Sequence, residues 1–402
     1  MTAAPGTHAE SSGDLMSDAT LLRSMVQVEA AWLDALVRAE LAPGLHHDDL
    51  VGHLLGLLDD EAGAVLLEAP DNRPVEGLLT LLRSRTDADT AAWLHQGLAQ
   101  QDVLDTALVL AVKDVLHHVV EQVKAQITAL TALAERHAVT PMAAGSAETP
   151  TPTTFGAVAV VWLDSIIDAA DLVVDARSLL PGQLGGSSGT LASLTEIARL
   201  RGEADPLSAA ADVVTDVAER LGLRERRAWH TARGSFTRTA DALLACTDAW
   251  GRLAGDVAAL ADPAVREVEP AEPRLPALIR QTAEAAPPLG ATLHLASAGA
   301  AWAGSPGSLG AEWRAMRELA RDAAAAATWT TELLDGLGAD EARMLAGLQA
   351  SASAVLEERS ALAALVGADA EDDSEPEPYL GIAEDMVVEA LERAETFMEE
   401  NA

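Results

Sequence analysis

Cysteine, tyrosine and phenylalanine are almost missing from this chain: one Cys, one Tyr and three Phe in 402 residues. The single thiol, Cys246, excludes an intramolecular disulfide and a structural zinc site built on thiolates. Aromatics make up only 3% of the residues. Few β-branched and aromatic side chains relative to Ala, Leu and Glu favour helix over strand throughout. Basic residues are scarce too, 27 against 63 acidic ones, for a net charge of −36. A surface of that sign repels nucleic acid and anionic membrane, so neither is expected as a partner. The plain consequence of the acidity is solubility; the sharper one is that no polyanionic substrate has to be attracted. No apolar run spans a bilayer, because the most apolar stretch, Leu104–Val120, is interrupted by Asp105, Lys113 and Asp114. Residues 1–14 have neither the basic start nor the apolar core of a signal peptide and read as a disordered tail. A cytoplasmic location is expected.

What is present is helical period. Ser17-Asp18 is placed to cap a helix reaching about Ala39, with Leu21, Leu22, Met25, Val28, Ala31 and Leu36 on one face. Shorter helices are expected near 48–58 and 60–67. From Asp102 to about His137 one long helix carries Leu104, Ala107, Leu108, Ala111, Val115, Val119, Val123, Ile127 and Leu130 at helical spacing. That length suits a bundle element better than a lone surface helix. Thr140–Thr154 reads as a loop, and long runs follow at Phe155–Leu180, Leu207–Leu221, Trp229–Leu260 and 276–301. Helices near 311–335 and 339–366, an acidic linker at Ala368–Pro378 and a last amphipathic helix at Tyr379–Glu399 complete the chain. No strands stand out. The expected division is an N-terminal helical domain at 15–101, a central long-helix bundle at 102–337 and a C-terminal helical domain at 338–402.

Several segments carry chemistry-bearing residues in a set order: HxGxxxQDVxDTA at 95–107, PTTFG at 152–156, GQLGGSSGTLASL at 182–194, WHTxR at 229–233, AEW at 311–313 and YLGIAEDMVVEAL at 379–391. Together they resemble the fumarase/aspartase superfamily, most closely its 3-carboxy-cis,cis-muconate cycloisomerase branch, from about Met16 to Phe397. The resemblance implies an all-α, three-domain helical fold whose long central helices form the twenty-helix core of a homotetramer, with each active site assembled from three subunits. Proton abstraction beside a carboxylate, with loss of a β leaving group or the reverse ring-forming addition, is the chemistry it implies. That chemistry needs a base, an acid and donors for the developing charge.

Measured against that resemblance, much of the inherited equipment is altered. His95, Gln101, Asp102, Asp105 and Thr106 stand as in the superfamily, but its carboxylate-binding Thr-Ser pair is Ala99-Gln100 here. In MAAGSAETPTPTTFG, at 142–156, the expected Arg-Thr-His falls on Gly145, Ser146 and Ala147, and Glu148 adds negative charge. The turn PDNRP at 70–74 keeps Asn72 and Pro74 with Arg73 between them. The mobile loop carrying the superfamily's Ser, Lys and Asn is expected to shrink to Glu269–Arg274, between helices ending at Val268 and starting near Leu275. In SPGSLGAEW, Leu309 and Gly310 replace a Trp and a His, whereas Glu312 and Trp313 are kept.

His95 and Glu148 are therefore the candidate acid/base residues. Ala99, Gln100, Gln101, Asp102, Ser146, Gln183, Trp302, Glu312 and Trp313 are the candidate substrate contacts. Each also has a plainer role: Asp102 as a helix cap, His95 as a hydrogen-bonded packing residue, and the two tryptophans as packing near bundle ends. His117 and His118 with Glu121 lack a third ligand at useful spacing, and the glycines of 185–189 are too weak for a phosphate claim. No metal and no cofactor are expected. The functional expectation is a diverged lyase or isomerase that lacks the Ser loop and acts on a non-standard small molecule by cyclisation, elimination or isomerisation, within specialised metabolism. The alternative is a catalytically inactive pseudoenzyme serving as a structural or regulatory subunit, co-assembled with an active paralogue. Unaltered 3-carboxymuconate cycloisomerase activity is not expected.

Overall fold

Short polar side chains start the helices. Ser17 Oγ accepts from Thr20 N at 3.1 Å, Asp87 Oδ1 from Thr90 N at 3.0 Å, and Asp205 Oδ1 from Ser208 N at 3.1 Å ahead of Pro206. The computed structural model describes residues 15–45, 47–58, 74–146, 149–301, 306–367 and 379–401. Over these it holds fourteen helices and four short strands. The chain runs through α1 (Asp18–Arg38), α2 (Leu50–Leu55), α3 (Pro74–Arg85), α4 (Ala88–Trp93) and the long α5 (Gln100–Arg136). Strands β1 (Pro141–Ser146) and β2 (Thr149–Thr154) lead to α6 (Phe155–Ser178), α7 (Ala192–Arg201), α8 (Pro206–Arg220) and α9 (Gly234–Leu260). Then come β3 (Val268–Pro270), α10 (Leu275–Ala298), α11 (Pro306–Asp335), β4 (Leu337–Ala339), α12 (Glu341–Ala350), α13 (Ala352–Val366) and α14 (Ala383–Glu400).

Two compact units divide the chain, each made of three stretches. The first comprises 1–118, 174–241 and 288–324, and the second 119–173, 242–287 and 325–402. In the first, α1 is buried on nearly every side and packs with α2 and α8. Its core is Leu, Val and Ala around Trp32, whose Nε1 donates to the Gln96 carbonyl at 2.8 Å. In the second, Phe155 and Trp162 meet edge to face, and Trp162 Nε1 reaches Asp256 at 2.8 Å. Cys246 is buried there, and burial pushes its thiol up to about 12, far from reactive. No helix among the described residues is long and apolar enough to cross a membrane.

The all-α expectation holds, with three local corrections. Residues 141–154 form an antiparallel hairpin, pairing Pro141 with Thr154 through Ser146 with Thr149. Alternating Thr and Pro cannot continue a helix, and the β-branched threonines suit a pleated ribbon. α9 starts at Gly234, later than its apolar period begins, because the preceding backbone is held by tertiary bonds: Trp229 N donates to Gln183 Oε1 at 2.6 Å, and the His230 carbonyl accepts from Gln101 at 2.9 Å. α9 also ends at Leu260 and not at Val268: Pro263 lacks a donor, Arg266 takes a positive φ of 57°, and Val268–Pro270 pairs with Leu337–Ala339. Residues 261–274 therefore form one connection, and they contain no Ser, Lys or Asn. The helix expected near 60–67, Asn72 and Arg73, and the acidic linker at 368–378 lie outside the described residues.

One carboxylate organises the end of the first unit that carries the conserved-looking motifs. Asp102 is fully buried in the first turn of α5. Its Oδ1 accepts from Gln183 Nε2 at 2.9 Å and Gly185 N at 3.2 Å; its Oδ2 accepts from Gly186 N at 2.8 Å and Ala99 N at 2.9 Å. Gly186 has φ 70°, and a Cβ on Gly185 would lie 2.4 Å from Ala228 Cβ, so only glycine brings these amides in. Thr106 completes the joint, donating to the Gln183 carbonyl at 2.9 Å and accepting from Gln183 N at 3.0 Å. Asp102→Ala leaves four buried donors without an acceptor. We expect it to cost about 4 kcal/mol or more in denaturant unfolding, at roughly 1–3 kcal/mol per orphaned group. Ser17→Ala, a simple cap loss, is expected to cost about 1 kcal/mol.

Candidate active site

The first turns of α5 and the first half of α11 enclose a cavity of about 590 Å³ in the first unit. Gln100, Gln101, Leu104 and Asp105 line it from α5; Leu309, Gly310, Glu312, Trp313, Arg314 and Arg317 line it from α11, with Pro74 at the edge. The three-and-four spacing of these residues puts them on one face of each helix. The volume suits a small-molecule ligand.

At its inner wall sits a buried ionic triad. Arg233 is 2% exposed and grips Asp105 with both terminal nitrogens, Nη1 to Oδ2 at 2.6 Å and Nη2 to Oδ1 at 2.8 Å. Its Nε reaches Glu312 Oε1 at 2.9 Å and Oε2 at 3.1 Å, and its Nη2 also donates to Oε1. The guanidinium lies 4.8 Å from the Trp229 ring centroid and 5.0 Å from that of Phe236. Burial works against its charge, but the bonds to the two acids outweigh it and hold the guanidinium firmly protonated. One cation serves two carboxylates. Burial, with Asp105 alongside, therefore pushes the Glu312 carboxyl above its ordinary range even though Arg233 pulls it down. A cavity-lining acid that keeps its proton more readily than usual can donate one.

The same cavity is also lined by residues that carry cations and unsatisfied donors. Arg317 stacks on Trp313 at 4.8 Å, with Nη2 bonded to the Met16 carbonyl at 3.2 Å and to Asp18 at 2.5 Å. Its Nε and the Trp313 Nε1 are buried with no hydrogen-bond partner among the described residues. Arg314 Nε makes one long bond, 3.3 Å, to the Gly310 carbonyl. Buried N–H groups without an acceptor are rare, and here two of them belong to residues lining one cavity.

The structure brings Gln100, Gln101, Glu312 and Trp313 to this cavity. Gln101 Nε2 is bonded to Asp105 at 3.1 Å and to the His230 carbonyl at 2.9 Å. Asp102 and Gln183 lie behind it with their polar atoms engaged inside the protein, and the Ala99 amide serves Asp102. Burial pushes the Asp102 carboxyl upward against the hydrogen bonds it accepts. His95 does not line the cavity. It stands in a left-handed turn, φ 67°, ahead of Gly97 at φ 91°, and its Nδ1 meets Glu29 Oε1 at 2.7 Å. That contact orients the ring through Nδ1 and leaves Nε2 as its other nitrogen. Glu29 is fully buried in α1, and its Oε2 has no partner among the described residues. Ser146 belongs to β1; Glu148 and Trp302 lie outside the described residues. His118 is held by the Ala324 carbonyl at 3.3 Å.

Motif reading passed over Glu29, Arg314 and Arg317. Their signals were a lone acid within the buried apolar run of α1 and two arginines, three apart, directly after Glu312-Trp313.

No family model matches the chain. Nitrosuccinate lyase of Streptomyces davaonensis is 33% identical over 373 residues, which cover 83% of this chain and 76% of that protein. 3-Carboxy-cis,cis-muconate cycloisomerase of Pseudomonas aeruginosa is 30% identical over 374 residues, covering 87% and 78%. Among solved structures, 3-carboxy-cis,cis-muconate lactonizing enzyme of Pseudomonas putida has the same fold, with a TM-score of 0.80 over 97% of this chain and 98% of that one at 23% identity. All-α lyases and cycloisomerases are thus the class to which this fold belongs. The chain belongs to the fumarase/aspartase superfamily, near its muconate cycloisomerase branch.

Two substitutions test the triad. Arg233→Met strands two buried carboxylates and is expected to cost about 3–5 kcal/mol in unfolding. Because the folded-state value of Glu312 is raised, its favourable contribution is complete below the ordinary value of 4.5 and fades as pH climbs through the folded value. Denaturant unfolding of wild type and Glu312→Gln at pH 4 to 8 should therefore shift in favour of the variant as pH rises.

Proposed function

We propose that this protein is a diverged lyase or isomerase acting on a small, non-standard molecule that bears a carboxylate, by elimination, cyclisation or isomerisation. The observation that carries this reading is the pair of buried, unpartnered donors, Arg317 Nε and Trp313 Nε1, on residues of a ligand-sized cavity that Glu312 also lines. A carboxylate in the cavity would pair with the charges of Arg317 and Arg314, and a small shift of the Trp313–Arg317 stack would open its unpartnered donors to it. Loss of a proton beside that carboxylate and departure of a β substituent would leave a double bond; Glu312 would supply the proton to the departing group. The names of the two relatives, a lyase of nitrosuccinate and a cycloisomerase of carboxymuconate, support a carboxylate-bearing substrate.

His95, oriented by Glu29, is the proposed base. Lying outside the cavity wall, it would act in a site shared between subunits, which the resemblance to the superfamily implies, and a homotetramer is the assembly proposed. Glu148 remains a second acid/base candidate. The alternative, an inactive subunit co-assembled with an active paralogue, rests on the connection 261–274, which carries no Ser, Lys or Asn.

Calorimetric titration with small dicarboxylates should show binding that weakens about tenfold or more in Arg317→Ala, since a charge-assisted bond contributes roughly 1.5–3 kcal/mol. In an elimination assay on β-substituted succinates, His95→Ala should abolish turnover, whereas Glu29→Gln should lower kcat with little change in KM. Undiminished turnover in His95→Ala would remove that assignment. Native mass spectrometry of the protein from its own cells should give four copies of one chain; a mixed assembly with a motif-complete lyase would favour the inactive-subunit reading.

A further inference from the structure

We propose that His47, His53 and Asp87 form a binding site for a divalent cation of the zinc type in the first unit, separate from the candidate active site. The three side chains offer two imidazole nitrogens and one carboxylate oxygen, all within 4.8 Å of one another. His47 precedes α2, His53 lies within it, and Asp87 is the N-cap of α4. The two rings stack with centroids 3.6 Å apart and planes 13° apart.

Both Nε2 atoms face the same spot. His47 Nε2 is 2.9 Å from Asp87 Oδ2, and His53 Nε2 is 3.0 Å from the Thr86 hydroxyl, which itself lies 3.4 Å from Asp87 Oδ2. Ligands of a tetrahedral zinc ion sit about 3.4 Å apart, given bond lengths of roughly 2.0–2.1 Å. The His47–Asp87 pair is already inside that span. His53 has to exchange the Thr86 hydroxyl for the ion and turn its ring out of the stack with His47, because a metal lies in the plane of each imidazole that binds it. The carboxylate is aimed in advance, because Asp87 Oδ1 holds the Thr90 amide at 3.0 Å and leaves Oδ2 towards the rings.

The donor set selects the metal class. Two imidazoles with a single carboxylate suit Zn²⁺ and its neighbours, whereas Ca²⁺ and Mg²⁺ demand oxygen ligands. Three protein ligands leave a fourth position, and the partly exposed side chains of His47 and Asp87 put it within reach of solvent. An ion here would tie the segment around α2 to the start of α4 across a separation of forty residues. Reading the sequence for metal motifs missed it because the third ligand is far from the two histidines along the chain and doubles as a helix cap.

The test is calorimetric titration of the full chain, stripped with chelator, with ZnCl₂. One ion per chain is expected, with a rise in Tm on binding and no displacement by excess Mg²⁺. Asp87→Asn keeps the helix cap and should weaken binding about tenfold or more, within the range seen when a metal site's supporting contacts are lost. The double variant His47→Ala/His53→Ala should abolish it, and His117→Ala/His118→Ala should not. X-ray absorption of the unaltered zinc-loaded chain, which no folding defect can confound, should show two imidazoles with oxygen ligands at about 2.0 Å. Undiminished binding in the first double variant, loss in the second, or a spectrum without imidazole would overturn the proposal.

Discussion

Everything at the candidate site depends on how one buried carboxylate is satisfied. Asp102 can stay in the interior only because four N–H groups converge on it, three from the backbone and one from Gln183. Those bonds lock the start of α5 to the 182–189 turn, and Gln183 passes the constraint on to Trp229. Trp229 and His230 in turn set where Arg233 stands. The orientation of the cavity wall is thus inherited, bond by bond, from a residue that does not touch the cavity.

The triad built on that support has a built-in imbalance. One guanidinium faces two carboxylates in a dry environment, so the pair of acids cannot be fully neutralised. The strain falls on Glu312, which lines the cavity together with Asp105. A purely structural salt bridge has little need for a second acid. An unbalanced one suits a site where a proton is held and released.

Divergence within the superfamily has taken a definite physical form. Ala99-Gln100 stands where the resemblance implies a Thr-Ser pair, and the connection at 261–274 carries no Ser, Lys or Asn. The cationic side chains that line the cavity are Arg314 and Arg317 on α11. In a protein of net charge −36, two arginines against two carboxylates leave the cavity lining locally balanced. Selectivity then rests on a few close donors and not on long-range attraction.

Helix order, the long bundle elements and the superfamily were all legible from the sequence, because apolar period and motif order are local properties that one chain displays by itself. The cap at Ser17, the roles of Gly97 and Gly186, and the Asp102–Thr106 pattern belong to that local grammar as well. The hairpin at 141–154 was hidden because Thr-Pro alternation reads equally well as loop, and the strand at 268–270 because its partner, β4, lies about seventy residues away. The partnerships that carry chemistry were decided by tertiary structure alone: Glu29 with His95, Arg233 with Asp105 and Glu312, Arg317 over Trp313, and His47 and His53 with Asp87. Each joins residues on different elements or on successive turns of one helix, and whether a charged side chain is paired, buried or left with a free donor depends on what folding brings beside it.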